Sequence, residues 1–303
     1  MAPPPTSPGH GAPCSTVGIV ARPNSPGAAA AARDAAAWLR DRAAPMVIEN
    51  ATAHSAGLSG QPTCTRAELP GAADVLLVLG GDGTLLSVAH PVARLAPDTL
   101  ILGVNCGSLG FLTEITRPEM YDALDSVLAG RAGIDERLTV RARLRRGGRD
   151  VADRTVLNDV VIGRSADAGI IDVSITLRDR LVTSCRADGV ILATPTGSTG
   201  YNLAAGGPIV HPTVDALTLT PIAPHTLTNR AVVIPDREPV TLQPKLAGSQ
   251  VDAFASFDGQ LSVPLRHGDM VVVERSPRPL RFVRAESRDY FSVLRQKLKW
   301  GER

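Results

Sequence analysis

The sequence predicts an α/β plus all-β protein: an N-terminal Rossmann-like parallel α/β domain followed by a C-terminal β-sandwich-like domain. Three observations predict this. The length, 303 residues, suits two domains better than one. Up to about residue 130, short apolar strands alternate with helix-like segments, which implies a parallel sheet covered by helices. Near residue 137 the period changes: apolar residues alternate with charged ones, and tight turns become frequent.

Residues 1–14 are rich in Pro and Gly and lack a basic n-region and an apolar h-region, so a disordered lead-in is expected rather than a signal peptide. The α/β domain is expected over 15–136. In it, Thr16–Ala21 is a strand closed by Arg22-Pro23-Asn24. The alanine-rich stretch Ala28–Ala43 is a helix ended by Pro45, and Met46–Ile48 is a second strand. Ala51–Pro70 is small and polar and reads as a mobile surface segment. Val75–Leu79 is continuously apolar, as a parallel strand buried on both faces should be. Thr84–Arg94 is a helix, Leu100–Val104 a strand and Pro118–Ala129 a helix.

A β-rich domain is expected over 137–284. Leu138, Val140, Ala142 and Leu144 alternate with polar residues, as do Ile171, Val173, Ile175 and Leu177. Arg141, Arg143 and Arg145 then form a solvated strand face rather than a polyanion site. Further strands are expected at Gly189–Ala193, Leu217–Thr220, Val232–Ile234, Val240–Leu242, Phe254–Phe257, Met270–Val273 and Leu280–Val283. Turns at Arg146-Gly-Gly148, Asp258-Gly259 and His267-Gly-Asp269 separate strands. Residues 285–303 should form a helical segment returning to the N-terminal domain, with Tyr290, Phe291, Leu294 and Leu298 on one side of the helix.

Composition excludes several functions. Charges nearly cancel, 32 − 30 = +2, so no overall field draws the chain to nucleic acid or membrane. Aromatics are 3%, too few for base-stacking platforms. No apolar run approaches the roughly 18–20 residues of a membrane helix. Cys14, Cys64, Cys106 and Cys185 form no C-x-x-C pair, so zinc spacing is absent and a reducing cytoplasmic setting is expected.

The sharpest local feature is Gly80-Gly81-Asp82-Gly83-Thr84, between a buried strand and a helix. Glycines let phosphate oxygens approach backbone N–H groups, and the helix N-terminus favours anions. A carboxylate repels phosphate, so Asp82 suits a Mg²⁺ partner or an acceptor of a hydroxyl proton. The plainer alternative is a glycine turn with an Asp helix cap. No G-x-x-x-x-G-K-[ST] and no good G-x-G-x-x-G is present, which excludes a P-loop and gives no support to an ordinary dinucleotide fingerprint. A second glycine-rich run, Gly103–Leu112, follows a parallel strand at the end where such sheets bind ligands. Gly80, Gly81, Gly83, Thr84, Asn105 and Gly107 are accordingly the expected contacts to a phosphate donor. A third run, Ala193–Pro208, gathers hydroxyls, glycines and Tyr201, suited to phosphate, ribose and ring contacts.

Gly80-Gly-Asp-Gly-Thr84, Gly103-Val-Asn-Cys-Gly107 with Leu109-Gly-Phe-Leu112, Asn158-Asp159, Asp188-Gly189, Thr194 to Gly207 and Pro221-Ile-Ala-Pro-His225 occur in that order. Together they resemble the NAD kinases, ATP:NAD 2′-phosphotransferases, from about Val17 to Trp300. The resemblance implies transfer of the ATP γ-phosphoryl group to the 2′-hydroxyl of the adenosine ribose of NAD, giving NADP, with a divalent ion such as Mg²⁺. It implies Asp82 as the proton acceptor and Gly83 near the phosphates. It implies Asn158 and Asp159 on the adenosine, and Arg186 as a cationic contact. Asp188 and Thr199, Gly200, Tyr201, Asn202, Leu203 and Ala204 would line the dinucleotide. Asp159 stands where the family more often has Glu, which keeps the charge and shortens its reach. Ser87 stands where some relatives carry Arg, so no such cationic contact is expected there, and His225 is read as structural. A homodimer or homotetramer is implied. The rival readings are a diacylglycerol-type lipid kinase, which shares the glycine loop, and a non-catalytic NAD-binding regulator. The first lacks an amphipathic membrane segment here, and the intact Asp82 argues against the second.

Overall fold

The computed structural model describes residues 16–165, 168–226, 228–246, 253–285 and 287–300. The lead-in expected over 1–14 lies outside them. The chain begins with β1 (Val17–Ala21), α1 (Pro26–Asp41), β2 (Met46–Glu49), α2 (Asn50–Ala56), β3 (Thr63–Cys64), β4 (Val75–Gly80) and α3 (Asp82–Leu95). There follow β5 (Leu100–Asn105), β6 (Ile115–Thr116), α4 (Met120–Leu128), β7 (Ile134–Arg137), β8 (Val140–Arg146), β9 (Arg149–Val156) and β10 (Asp159–Arg164). Next are β11 (Ile171–Leu177), β12 (Arg180–Ala187), β13 (Gly189–Ala193), α5 (Tyr201–Ala204), β14 (Ala216–Ile222), β15 (Val232–Pro235) and β16 (Val240–Lys245). The chain ends with β17 (Ala253–Phe257), β18 (Leu261–Pro264), β19 (Met270–Arg275), β20 (Leu280–Val283) and α6 (Tyr290–Leu298).

These elements divide into two compact units. The first holds the described residues up to Pro91, then Asp98–Asp135 and those from Arg281 onward; the second holds Val92–Pro97 and Glu136–Leu280. The first sheet runs β3-β2-β1-β4-β5-β20-β7, with β6 beside β5. The pairs among β3, β2, β1, β4, β5 and β20 are parallel. β4 is buried along its whole length, which is why its sequence is apolar without alternation. The small Ala28, Ala31, Ala32, Ala35 and Ala36 bury one face of α1, and Ser25 Oγ accepts from the Ala28 N–H at its start.

The segment expected to be mobile, Ala51–Pro70, instead carries most of α2 and all of β3. Its order comes from polar contacts that hydrophobic periodicity does not report. The buried Glu49 carboxylate accepts from the Thr52 N–H at 3.0 Å and from Arg66 Nε at 3.0 Å.

The second unit contains two six-stranded antiparallel sheets, β15-β14-β13-β10-β17-β18 and β12-β11-β16-β19-β8-β9. Inward residues of both meet in one core, including Val140, Leu144, Val160, Ile162, Val173, Val190, Leu242, Phe257 and Val271. Parallel α/β followed by antiparallel β is therefore the fold class the sequence predicts. Arg141, Arg143 and Arg145 do point away from this core, and each finds a carboxylate: Asp153, Glu274 and Asp150. In α6 the buried residues are Val293 and Leu294, whereas Phe291 is exposed. An Asp289–Ser292 capping box starts the helix, and Phe291 and Leu294, expected on one side of it, differ in burial.

Asp269 is fully buried, and its carboxylate is held by Arg146 at 2.7 Å and by the Arg266 N–H at 2.8 Å. Arg146→Ala would leave that carboxylate short of its cation. It should cost roughly 3–5 kcal/mol in urea unfolding. A loss below about 1 kcal/mol would contradict this account of the turn between β18 and β19.

Candidate functional site

The glycine turn after β4 leads directly into α3. The Thr84 and Leu85 N–H groups bond to Gly81 O, so α3 starts without a side-chain cap from Asp82. Gly81 and Gly83 face open space, with nothing within 4 Å of where a Cβ would stand. The Asp82 carboxylate reaches instead to the loop after β5. Oδ2 accepts from the Phe111 N–H at 2.9 Å. Oδ1 accepts from the Leu112 N–H at 3.1 Å and from the Thr113 N–H and Oγ1, each at 3.0 Å. The helix-cap alternative is thereby set aside.

Asn105 is almost fully buried, and both of its polar side-chain atoms are spent on the same loop. Nδ2 donates to Ser108 O at 2.7 Å and to Thr113 Oγ1 at 3.0 Å, while Oδ1 accepts from the Gly107 N–H at 2.6 Å. The side chain of Asn105, an expected phosphate contact, thus shapes the loop in this structure. Lys297 Nζ lies 5.5 Å from the centre of the Phe111 ring. Ser87 Oγ accepts from Arg66 Nη1 at 3.0 Å.

The second unit holds a cleft of about 490 Å³ lined by Asn158, Asp159, Arg164, Asp188, Tyr201 and Asp258, with Val161, Ile222 and Phe254 among its apolar surfaces. Strand alternation explains part of this lining. In β10, Val160 and Ile162 enter the core, so Asp159, Val161 and Gly163 face the cleft. Asp258 lies in the β17–β18 turn, and its carboxylate accepts three successive N–H groups: Leu157 at 2.8 Å, Asn158 at 2.6 Å and Asp159 at 3.1 Å. Gly197 lies against the Asn158 carbonyl so closely that no Cβ would fit. Asn158 Oδ1 is buried and without a partner among the described residues.

Burial pushes the Asp159 carboxyl up to about 7, and the nearby Asp258 charge adds to the effect. Burial also raises Asp258, to about 6, against the opposing pull of its three N–H donors. Arg164 Nε pairs with Asp188 at 2.9 Å at the cleft wall.

The structure thus brings Asn158, Asp159, Asp188 and Tyr201 together in one cleft. Tyr201 is 48% exposed, leaving its ring available. Other expected contacts are placed differently. Arg186 is exposed on β12 and does not line the cleft; Arg164 is the arginine that does. Asn202 is wholly buried as a brace: Oδ1 accepts from Thr218 and Thr220, and Nδ2 donates to Ser198 O and Pro208 O. Thr199 gives its hydroxyl to Thr196 O. Gly200 lies beside Asn158 and Asp159, whereas Leu203 and Ala204 are outside the cleft lining. Sequence reasoning missed Arg164, Asp258 and Thr113. The Asp258-Gly259 turn was legible as a turn, but nothing local marked its carboxylate as facing inward.

Two family models match this chain: the ATP-NAD kinase N-terminal domain over residues 17–132 and the ATP-NAD kinase C-terminal domain over 157–285. The chain belongs to the ATP-NAD kinase family. An NAD kinase of Geotalea daltonii is 46% identical over 289 residues, covering 95% of this chain and 99% of that protein. One of Thiobacillus denitrificans is 41% identical over 291 residues, covering 96% and 99%. Two solved structures share the fold, each at 24% identity. Yeast NADH kinase complexed with NADH has a TM-score of 0.88, covering 96% of this chain and 89% of that one. An NAD kinase from Archaeoglobus fulgidus in complex with ATP has a TM-score of 0.74, covering 94% and 98%. This family member is accordingly a kinase. The comparisons support neither the lipid-kinase nor the non-catalytic reading.

The raised carboxylates make stability depend on pH. In the folded chain Asp159 keeps its proton to about 7, whereas its ordinary value is 3.8. Stability should therefore fall as pH rises from about 4 to about 7, with the penalty complete above that range and absent below it. Asp159→Asn should be more stable than the wild type by at least about 1 kcal/mol at pH 8 and equal to it near pH 4. Urea unfolding at both pH values checks this; an unchanged pH slope in the variant would refute it.

Proposed function

We propose that this ATP-NAD kinase family member transfers the γ-phosphoryl group of ATP to the 2′-hydroxyl of the adenosine ribose of NAD, producing NADP. The observation that carries the reading is the cleft of acceptors in the second unit. Asn158 Oδ1 is buried without a donor beside Asp159, a pairing suited to the hydroxyls and exocyclic amine of an adenosine. Tyr201 offers a ring to stack on, and Arg164 offers charge toward the pyrophosphate. A second reading is not favoured by any feature of the site.

In this mechanism Asp82 accepts the proton of the 2′-hydroxyl, the 2′-oxygen bonds to the γ-phosphorus, and ADP departs. The transition state is loose, so alignment and charge neutralisation dominate. The open Gly81–Gly83 backbone and the start of α3 supply N–H groups for the phosphates. Among the described residues no cluster of three or more His, Cys, Asp or Glu side chains is arranged to hold a metal ion. The residues therefore do not fit a protein-built metal cage. A divalent ion such as Mg²⁺ would be brought by the nucleotide and would supply charge neutralisation on its phosphates.

The reading extends to a cytoplasmic homo-oligomer, a homodimer or homotetramer, and gives no role to nucleic acid or membrane. Among the described residues no helix is long and apolar enough to cross a membrane, and Cys64, Cys106 and Cys185 are free thiols.

Incubation with NAD, ATP and Mg²⁺ should yield NADP; no product would overturn the reading. Asp82→Asn should lower kcat by at least about 10²-fold with NAD affinity broadly intact, and near-normal turnover would remove Asp82 from the mechanism. Arg164→Ala should weaken NAD binding about tenfold, and more than Arg186→Ala does. Titration calorimetry of both variants decides the order, and the reverse order would contradict the assignment of Arg164.

A further inference from the structure

The four donors on Asp82 are divided unequally between its two oxygens. Oδ1 takes three, from the Leu112 N–H, the Thr113 N–H and Thr113 Oγ1; Oδ2 takes only the Phe111 N–H. Each carboxylate oxygen offers about two acceptor positions, so Oδ1 is more than filled and Oδ2 keeps one in reserve. The residue enforcing this asymmetry is Thr113. It is fully buried, its backbone and hydroxyl both bind Oδ1, and its hydroxyl oxygen accepts from Asn105 Nδ2 at 3.0 Å. With Asn105 Nδ2 donating, the hydroxyl proton is free to point only at Asp82. Gly110 completes the arrangement, because a Cβ there would collide with both Asp82 Oδ1 and Thr113 Oγ1.

We propose that Thr113 is a positioning residue for phosphoryl transfer: its buried hydroxyl, oriented by Asn105, locks Asp82 so that Oδ2 is the atom that receives the acceptor hydroxyl. The proposal rests on the reading that Asp82 meets the 2′-hydroxyl of NAD. A positioning group acts on the rate of the chemical step, and a small misplacement of a reacting group costs up to about a hundredfold. Replacing the hydroxyl by a methyl group of equal size removes the lock and keeps the volume.

The test compares Thr113→Val and Thr113→Ser with the wild type in the full chain, measuring kcat, KM for NAD and Tm, with Asp82→Asn run in parallel. Thr113→Val should lose about tenfold to a hundredfold in kcat with KM for NAD within about twofold, and Thr113→Ser should recover most of the loss. An unchanged kcat in the valine variant would overturn the proposal. So would a serine variant as slow as the valine one, since packing of the methyl group would then explain the effect. Should the valine variant prove unstable, Thr113→Ala, which carries no donor and differs from Thr113→Ser only in the hydroxyl, replaces it under the same criteria. The parent reading fails separately, through a wild type that makes no NADP or an Asp82→Asn variant that keeps its turnover.

Discussion

The loop after β5 has few ladder partners for its backbone, and the Asp82 carboxylate takes three of its successive N–H groups. Buried N–H groups without acceptors are costly, so a loop folded around an anion depends on that anion. The dependence runs both ways, because the loop also fixes where the carboxylate points. Gly80-Gly-Asp-Gly and Leu109-Gly-Phe-Leu-Thr113 are separate in sequence but form one structural object. Glycine at 110 is required because the carboxylate occupies the space a side chain would need.

The second unit repeats the device. Asp258 gathers the Leu157, Asn158 and Asp159 N–H groups, which turns Asn158 and Asp159 toward the cleft. Here the anion is nearly buried beside a second carboxylate, and both protonation ranges move upward in consequence. The three N–H donors offset part of the burial cost of Asp258, whereas Asp159, at the cleft wall, meets burial and the Asp258 charge alone. Each unit thus uses one aspartate to shape a loop whose remaining polar atoms can serve a substrate.

Much of the fold was legible in the sequence because its signals are local. The unbroken apolar run of β4 and the alternation of β8 and β11 report their burial directly. β9 was not legible: seven of its eight residues are exposed or only half-buried, so no apolar period marks it. α2 and β3 depend on the polar contacts of Glu49, which periodicity does not register. In the candidate site, Asn158, Asp159, Asp188 and Tyr201 were legible from motif order, and the cleft gathers them. The assignments that shifted are long-range in origin. Asn105 and Asn202 were expected as ligand contacts, and in the structure their side chains brace loops. Arg186 and Arg164 cannot be ranked without knowing which strand borders the cleft. Asp258 looks like an ordinary turn residue, since its three partners lie about a hundred positions away in the chain.

The central claim is that Asp82 Oδ2 receives the ribose hydroxyl while Oδ1 stays bound to Thr113. A crystal structure of the chain with NAD bound tests it most directly. The account predicts the adenosine 2′-oxygen within hydrogen-bonding distance of Oδ2, about 2.5–3.0 Å, with the Thr113 contact to Oδ1 retained. A 2′-oxygen remote from Asp82, or one seated on Oδ1 with Thr113 displaced, would contradict it.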